Sequence, residues 1–226
     1  MDALLNAHTE READLPPHIG HDSNVTSKKQ GSLQGVSSDY AQKKDHHWFV
    51  LRVTYNRVVT AYERAVAEGI TAYLPMHDTY KLDVGKRRRT REPLIPNIVF
   101  IYATRQRADS FVSRPTEAST FYIRYYLDRT QRPVPDQKHP PLTIPYAAMI
   151  NFIMATSTDS EHTRLVSPEQ CHYRSGDMVR VIDGSFKGIV GRVARISGQQ
   201  RVVVEVAGLC LFATAYIPSC FIQKMT

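Results

Sequence analysis

The sequence has little cysteine and no pattern in which to use it. Its three cysteines (Cys171, Cys210 and Cys220) form no CxxC pair and leave one thiol over under any pairing. That excludes a disulfide scaffold and fits a reducing cytoplasm, which is the expected location. Cys171-His172 and His46-His47 lack the paired spacing of zinc ligands, so no metal is expected. No run approaches the roughly 18 consecutive apolar residues of a membrane helix. At the N-terminus Leu4-Leu5 is the longest apolar pair, so a signal peptide is not expected either. Catalytic signatures are missing as well: there is no Gly-Lys-Ser/Thr phosphate loop, no Gly-x-Ser-x-Gly elbow and no HExxH. Asp177 and Asp183 read as carboxylates that cap turns. The expectation is a protein with no enzymatic activity and no cofactor.

Acidic residues are also in short supply. Against 29 Lys and Arg stand 22 Asp and Glu, a net charge of +7, and the isoelectric point is near 9.4. Such a balance favours a polyanionic partner. The 226 residues, 42% of them hydrophobic, suffice for one large or two small domains.

Residues 1–44 mix Asp, Glu, Ser, Gln, Lys and Gly with few large apolar side chains, and read as a disordered tail. Order is expected from Trp48-Phe49-Val50-Leu51-Arg52-Val53, whose aromatic and β-branched content predicts a strand. Arg57–Glu68 places Val58, Val59, Tyr62, Ala65 and Val66 at helical spacing, with Gly69 as the stop. A strand over Ile70–Pro75 and a polar hairpin over Lys81–Arg91, turning near Gly85, follow. Leu94–Tyr102 is the strongest strand signal of this half, with Pro96 at its start or edge. A short helix over Ala108–Arg114, a strand over Phe121–Leu127, a loop over 128–141 and a helix over Thr143–Met154 complete it. The order predicts an α+β sandwich over residues 45–155. Residues 156–170 then read as a linker.

The last part, residues 171–226, holds five short strands with Asp-Gly and Ser-Gly turns, the pattern of a small barrel. Gly176 to Val193 reads Gly-Asp-Met-Val-Arg-Val-Ile-Asp-Gly-Ser-Phe-Lys-Gly-Ile-Val-Gly-Arg-Val. An alternating strand enters an Asp183-Gly184 turn, Phe186 follows as an anchor, and Gly188 and Gly191 flank Ile189-Val190. This stretch resembles the KOW motif of SH3-like barrels. With Trp48-Phe49-Val50 and Glu92-Pro93-Leu94-Ile95-Pro96-Asn97-Ile98-Val99-Phe100, it makes residues 46–226 similar to the NusG family. The middle block, preceded by Gly85-Lys86-Arg87, looks more like the specialised RfaH-like and UpxY-like antiterminators. General NusG typically has Pro-Gly-Tyr where this chain has Pro96-Asn97-Ile98.

The resemblance implies a NusG-type α/β sandwich, an antiparallel sheet with flanking helices, ahead of a KOW barrel. It implies a transcription elongation factor, and an operon-specific antiterminator within that class. The clamp helices of RNA polymerase would dock on a hydrophobic depression at Ile95, Pro96, Ile98 and Phe100. Nucleic acid of the elongation complex, non-template DNA or nascent RNA, would meet two places. One is the basic run Lys86, Arg87, Arg88, Arg89 and Arg91; the other is Tyr55, Asn56, Arg57 and Arg64, where a base could stack on the tyrosine. Phe186, Leu209, Leu211 and Phe212 would meet a second partner of the barrel, a ribosomal protein being one choice. A monomer without membrane contact is expected. Two rival readings share these features: a ribosome- or RNA-binding KOW protein, and a general housekeeping NusG.

Overall fold

The seven residues of the first strand already set the layout of the molecule. In the strand β1 (His47–Val53) side chains alternate between two faces, Trp48 and Val50 on one, Phe49, Leu51 and Val53 on the other. Both sets are buried, so β1 must be covered twice. A computed structural model describes residues 38–83, 85–113, 122–131, 139–158 and 163–225, and shows how that cover is supplied.

After β1 the chain forms α1 (Val58–Ala67), β2 (Thr71–Tyr73), β3 (Met76–Asp83), β4 (Lys86–Pro93), β5 (Ile98–Ala103) and α2 (Arg105–Ser113). Then come β6 (Ile123–Tyr125), β7 (Thr143–Ile144) and α3 (Tyr146–Ser157). One antiparallel sheet runs β2-β5-β1-β6, with the short β7 also pairing β1. Strands β3 and β4 form a two-stranded sheet of their own, in register from Met76–Pro93 to Asp83–Lys86. The long strand expected from Leu94 is shorter than predicted. Leu94–Asn97 instead form a turn, in which Asn97 takes φ 61°. Asparagine tolerates that left-handed conformation better than other residues with a side chain. Thr143 and Ile144, expected in the last helix, pair with β1 because Pro145 takes the N-cap with an extended backbone.

On one face of the sheet, Phe49, Leu51, Val53, Val99 and Ile101 pack against Val58, Ala61 and Ala65 of α1 and Ala108 and Phe111 of α2. On the other face lies α3, whose twelve residues carry no charge. A helix apolar on all sides needs cover on all sides. The sheet supplies one side, with Phe152 5.8 Å from the Phe100 ring and 6.5 Å from that of Tyr73.

The C-terminal part supplies the other side. It comprises β8 (Arg164–Val166), β9 (His172–Val181), β10 (Val190–Ile196), β11 (Gln199–Val206), β12 (Cys210–Ala213) and β13 (Ile222–Lys224). Their antiparallel path is β13-β9-β10-β11-β12-β8. The first strand thus falls inside the stretch read as a linker, where Leu165 pairs with Phe212. A two-residue turn joins β10 to β11, with Ser197 at φ 51° and Gly198 at φ 77°, the mirror-image geometry whose twist suits a hairpin. Gly191 is required for a different reason. A Cβ there would lie 2.7 Å from Val202 Cγ1 and collide with the Val203 backbone, so the close approach is to β11.

This C-terminal sheet packs on α3 through β11. Phe212 lies 6.1 Å from Phe152, and the Asn151 side chain both donates to the Val190 carbonyl and accepts from the Val190 N–H (2.8 Å). Trp48, Phe100, Phe152, Val181, Val204 and Phe212 therefore belong to one continuous core, and Gly31–Thr226 is one compact unit. The end of the expected tail joins it too. Tyr40 packs 5.8 Å from Trp48 and 6.0 Å from Tyr73, and its carbonyl accepts from the Tyr146 hydroxyl. Residues 1–37 of that tail, and 132–138 of the proline-rich loop, lie outside the described residues. No helix among the described residues is long and apolar enough to cross a membrane.

Candidate nucleic-acid interface

The β3–β4 hairpin sorts its charges by strand alternation. Asp78 faces Arg91, Tyr80 faces Arg89 and Leu82 faces Arg87, so these six residues share one side. His77, Thr79, Lys81, Arg88, Thr90 and Glu92 share the other. Among the described side chains, each side has one carboxylate engaged by one cation: Arg89 pairs with Asp78 and Lys81 with Glu92. The hydrogen bond from Arg89 holds the Asp78 carboxyl below its ordinary range, and Lys81 does the same for Glu92.

That leaves the first side rich in positive charge and apolar surface. Leu82 is 79% exposed and Tyr80 52%, with the Arg87 guanidinium 5.6 Å above the Tyr80 ring. Arg87, Arg88, Arg89 and Arg91 are all exposed. Lys86 opens β4, and its side chain lies outside the described residues. An exposed surface of arginines around an aromatic ring suits phosphates and stacked bases.

A second cationic surface lies where β1 ends. Tyr55 and Asn56 both adopt left-handed backbone, φ 56° and 55°, inside a turn closed by Arg57 N–H to the Thr54 carbonyl (3.3 Å). For tyrosine this conformation costs about 1–2 kcal/mol. The ring nevertheless remains 72% exposed, and Asn56 and Arg57 are exposed beside it. Arg57 is the N-cap of α1, without a side-chain capping bond.

Arg64 does not join this group. Its guanidinium bonds to Glu68 (3.0 Å) and to the Phe111 carbonyl (3.0 Å), and stacks 4.5 Å over the Phe111 ring. It ties α1 to α2 and is withdrawn from the expected nucleic-acid contacts.

The structure adds three residues that sequence reading missed. Arg52 of β1 and Arg124 of β6 stand directly opposite one another. Thr54 and Tyr122 clasp the two strands just beyond, through Thr54 N–H to the Tyr122 carbonyl and Tyr122 N–H to Thr54 Oγ1 (2.8 Å). Tyr122 is 62% exposed, with the Arg124 guanidinium 5.7 Å over its ring. The β-alternation around Arg52 was a legible signal, since a charge in an apolar strand must emerge on one face. Its partner from 72 residues away was not.

The expected polymerase-docking residues are placed differently. Pro96 is exposed, but Ile95, Ile98 and Phe100 are 8%, 5% and 0% exposed within the core shared with α3 and the C-terminal sheet. In this arrangement the ribbon has its own cover, so those three offer no open depression. Of the expected contacts of the C-terminal part, Phe186 and Phe212 are buried in the same core, while Leu209 and Leu211 are half-buried.

Comparison with known families agrees with this layout. Residues 46–140, from the start of the N-terminal sheet to the loop before β7, match the family of transcription termination factor nusG. Residues 175–205, from β9 through β11, match the KOW motif. No curated protein matches the chain. The two matches together take in over half of the 226 residues, in the order NusG domain and then KOW motif, and they support a NusG-type domain followed by a KOW motif in one chain.

Proposed function

We propose that this protein binds RNA polymerase during elongation and acts as an antiterminator of a particular operon, in the manner of the RfaH-like and UpxY-like branches. The observation that carries the reading is the NusG-type domain standing ahead of a KOW motif in one chain. The basic hairpin supports it, because its exposed arginines can lie against nucleic acid beside the transcription bubble. The Tyr55–Arg57 turn offers a second contact of the same kind.

Docking on the polymerase clamp helices uses the ribbon from Ile95 to Phe100, with Pro96 as its accessible corner. Because Ile98 and Phe100 are covered from within, engagement requires α3 and the C-terminal sheet to give way, so binding selects a more open form. The same opening frees Phe186 and Phe212, next to Leu209 and Leu211, for a second partner such as a ribosomal protein. Held by the chain, that partner is raised in local concentration at the polymerase.

The test is transcription through a terminator with purified polymerase and the native leader, together with capture of elongation complexes. Read-through should rise with the full chain. Replacing Arg87, Arg88 and Arg89 by Ala should weaken capture more at low salt than at high salt. Unchanged read-through sinks the antiterminator role, and absence of polymerase capture sinks the proposal as a whole.

A further inference from the structure

Residues 38–45 stand ahead of the NusG family match, which begins at residue 46, yet they reach across the shared face of the central sheet. A short 3-10 turn, Ser38–Tyr40, ends in Tyr40. Its ring packs 5.8 Å from Trp48 of β1 and, edge-on, 6.0 Å from Tyr73 of β2. Its carbonyl accepts from the hydroxyl of Tyr146, the first residue of α3 (2.8 Å). Three residues on, the Lys43 N–H donates to the hydroxyl of Tyr102 in β5 (2.9 Å), and that hydroxyl donates back to the Lys43 carbonyl (3.3 Å). One short stretch thus ties β1, β2, β5 and the start of α3 together. The hold is light, however. Ala41, Gln42, Lys43, Lys44 and Asp45 are all exposed, and Tyr40 alone in 39–45 is partly buried. A segment held by one ring and a few hydrogen bonds opens at less cost than a core strand or helix. Asp45, at φ 57°, places a turn between this segment and β1, so one lifts without unzipping the other. The closed arrangement also carries a cost of its own. The Trp48 indole N–H is fully buried and finds no acceptor among the described residues. A buried donor without a partner opposes the state that hides it.

We infer that residues 38–45 are a releasable strap that pins the start of α3 to the central sheet and so gates the opening of the shared face. Seated, the strap adds the Tyr40 ring and the Tyr102 and Tyr146 hydrogen bonds to the closed form alone. Released, it takes those contacts away and gives the Trp48 N–H access to water, and the balance moves toward the open form. A permanent part of the core buries its length and leaves no donor unpaired; this stretch does neither. That the open form is the one that engages polymerase rests on the reading given above. The hold of the strap on α3 does not depend on it.

Trp48, the single tryptophan, reports the strap directly. In the full chain, Tyr40→Ala should shift Trp48 emission to the red and make it about threefold more open to quenching by acrylamide. Amide exchange in α3 should quicken about tenfold, with α1 and α2 unchanged. Tyr40→Phe keeps the ring and the backbone carbonyl, and should match wild type. Tyr102→Phe with Tyr146→Phe keeps every ring but removes the hydrogen bonds, and should give a smaller opening of the same kind. That pair carries the test if the alanine variant fails to fold. With elongation complexes present, Tyr40→Ala should raise capture about threefold, in step with the open population. Unchanged quenching and α3 exchange in Tyr40→Ala overturn the inference. So does exchange that rises equally over α1 and α2, the mark of a general core residue. Opening without any gain in capture, by a chain that does bind polymerase, overturns the gate. Failure of every form, wild type included, to capture polymerase sinks only the elongation-factor reading, because fluorescence and exchange need no polymerase.

Discussion

The two faces of the central sheet are covered by helices of different composition, and the molecule's architecture follows from that difference. On the face of Phe49, Leu51, Val99 and Ile101, α1 and α2 turn small residues and Phe111 inward. At the margin of that packing stand Arg64, Glu68 at the end of α1, Arg105 and Asp109, tied as i,i+4 ion pairs. The apolar region ends at those charges. On the face of Trp48, Val50, Phe100 and Tyr102 the covering helix is Tyr146–Ser157, which has none. The core therefore continues through α3 into the C-terminal sheet. A helix's outer side chains decide whether a domain stops or recruits a neighbour.

The strongest way to break this contrast is to remove the ring that joins both layers. Phe152 is fully buried and lies within 6.5 Å of the rings of Phe100, Tyr73 and Phe212. Phe152→Ala should cost about 3–5 kcal/mol and raise amide exchange in both the central and the C-terminal sheets. Phe111→Ala, on the opposite face, should cost a similar amount yet leave protection in β9–β12 as it was. Equal exchange in the C-terminal sheet for the two variants would remove the distinction between the faces. The single tryptophan, Trp48, sits on the shared face and reports its opening by fluorescence.

A gentler change sharpens the same contrast. Asn151 is the polar residue of α3 that meets the C-terminal sheet, through two hydrogen bonds to the Val190 backbone. Asn151→Ala leaves both backbone groups without that partner, at a cost of about 1–3 kcal/mol. Faster exchange of the Val190 amide, with α1 and α2 unaffected, is the expected result. If opening of this contact precedes polymerase engagement, the variant should also capture polymerase more readily. Unaltered Val190 exchange would show that the apolar contacts alone hold the sheet to the helix.

Local signals gave much of this fold away in the sequence. The α+β order, the hairpin turning at Gly85 and the KOW strands were all legible, because each rests on periodicity or turn chemistry within about ten residues. The short strands β7 and β8 were not. Two or three residues carry no readable period, and their pairing with β1 and β12 is fixed by tertiary contact. The run Ile98–Ala103 is apolar on both faces, a pattern that calls for cover on both. What covers the second face was invisible, since α3 also reads as an ordinary helix until its lack of charge is weighed. The packing of Arg64 against Phe111 was hidden for a related reason: exposure on a helical wheel says nothing of a second helix packed beside it. Arg52 and Arg124 become a pair only through β1–β6 register.

The smallest expected effect comes from the chemistry of the shared face at high pH. The Tyr73 hydroxyl bonds to Thr156 Oγ1 (2.5 Å), which itself donates to the Phe152 carbonyl (2.8 Å). Burial pushes the Tyr73 phenol above its ordinary value, and it does the same for Tyr40, whose ring lies against Tyr73. A raised pKa in the folded state favours the neutral phenol there. Its contribution to stability is complete below the unfolded value of about 10 and is lost as pH climbs toward the folded one. Wild type should therefore weaken above about pH 10, with the Trp48 environment changing as α3 loosens. Tyr73→Phe gives up a hydrogen bond contributing about 1 kcal/mol at neutral pH but keeps the ring and has no proton to lose. Its urea midpoint should fall below wild type at pH 8 and approach it as the pH passes 10. Tyr62 and Tyr125, also raised by burial but packed on the opposite face, remain in the variant and keep part of the alkaline decline. If the two curves stay parallel from neutral to alkaline pH, ionisation of Tyr73 does not govern the loss.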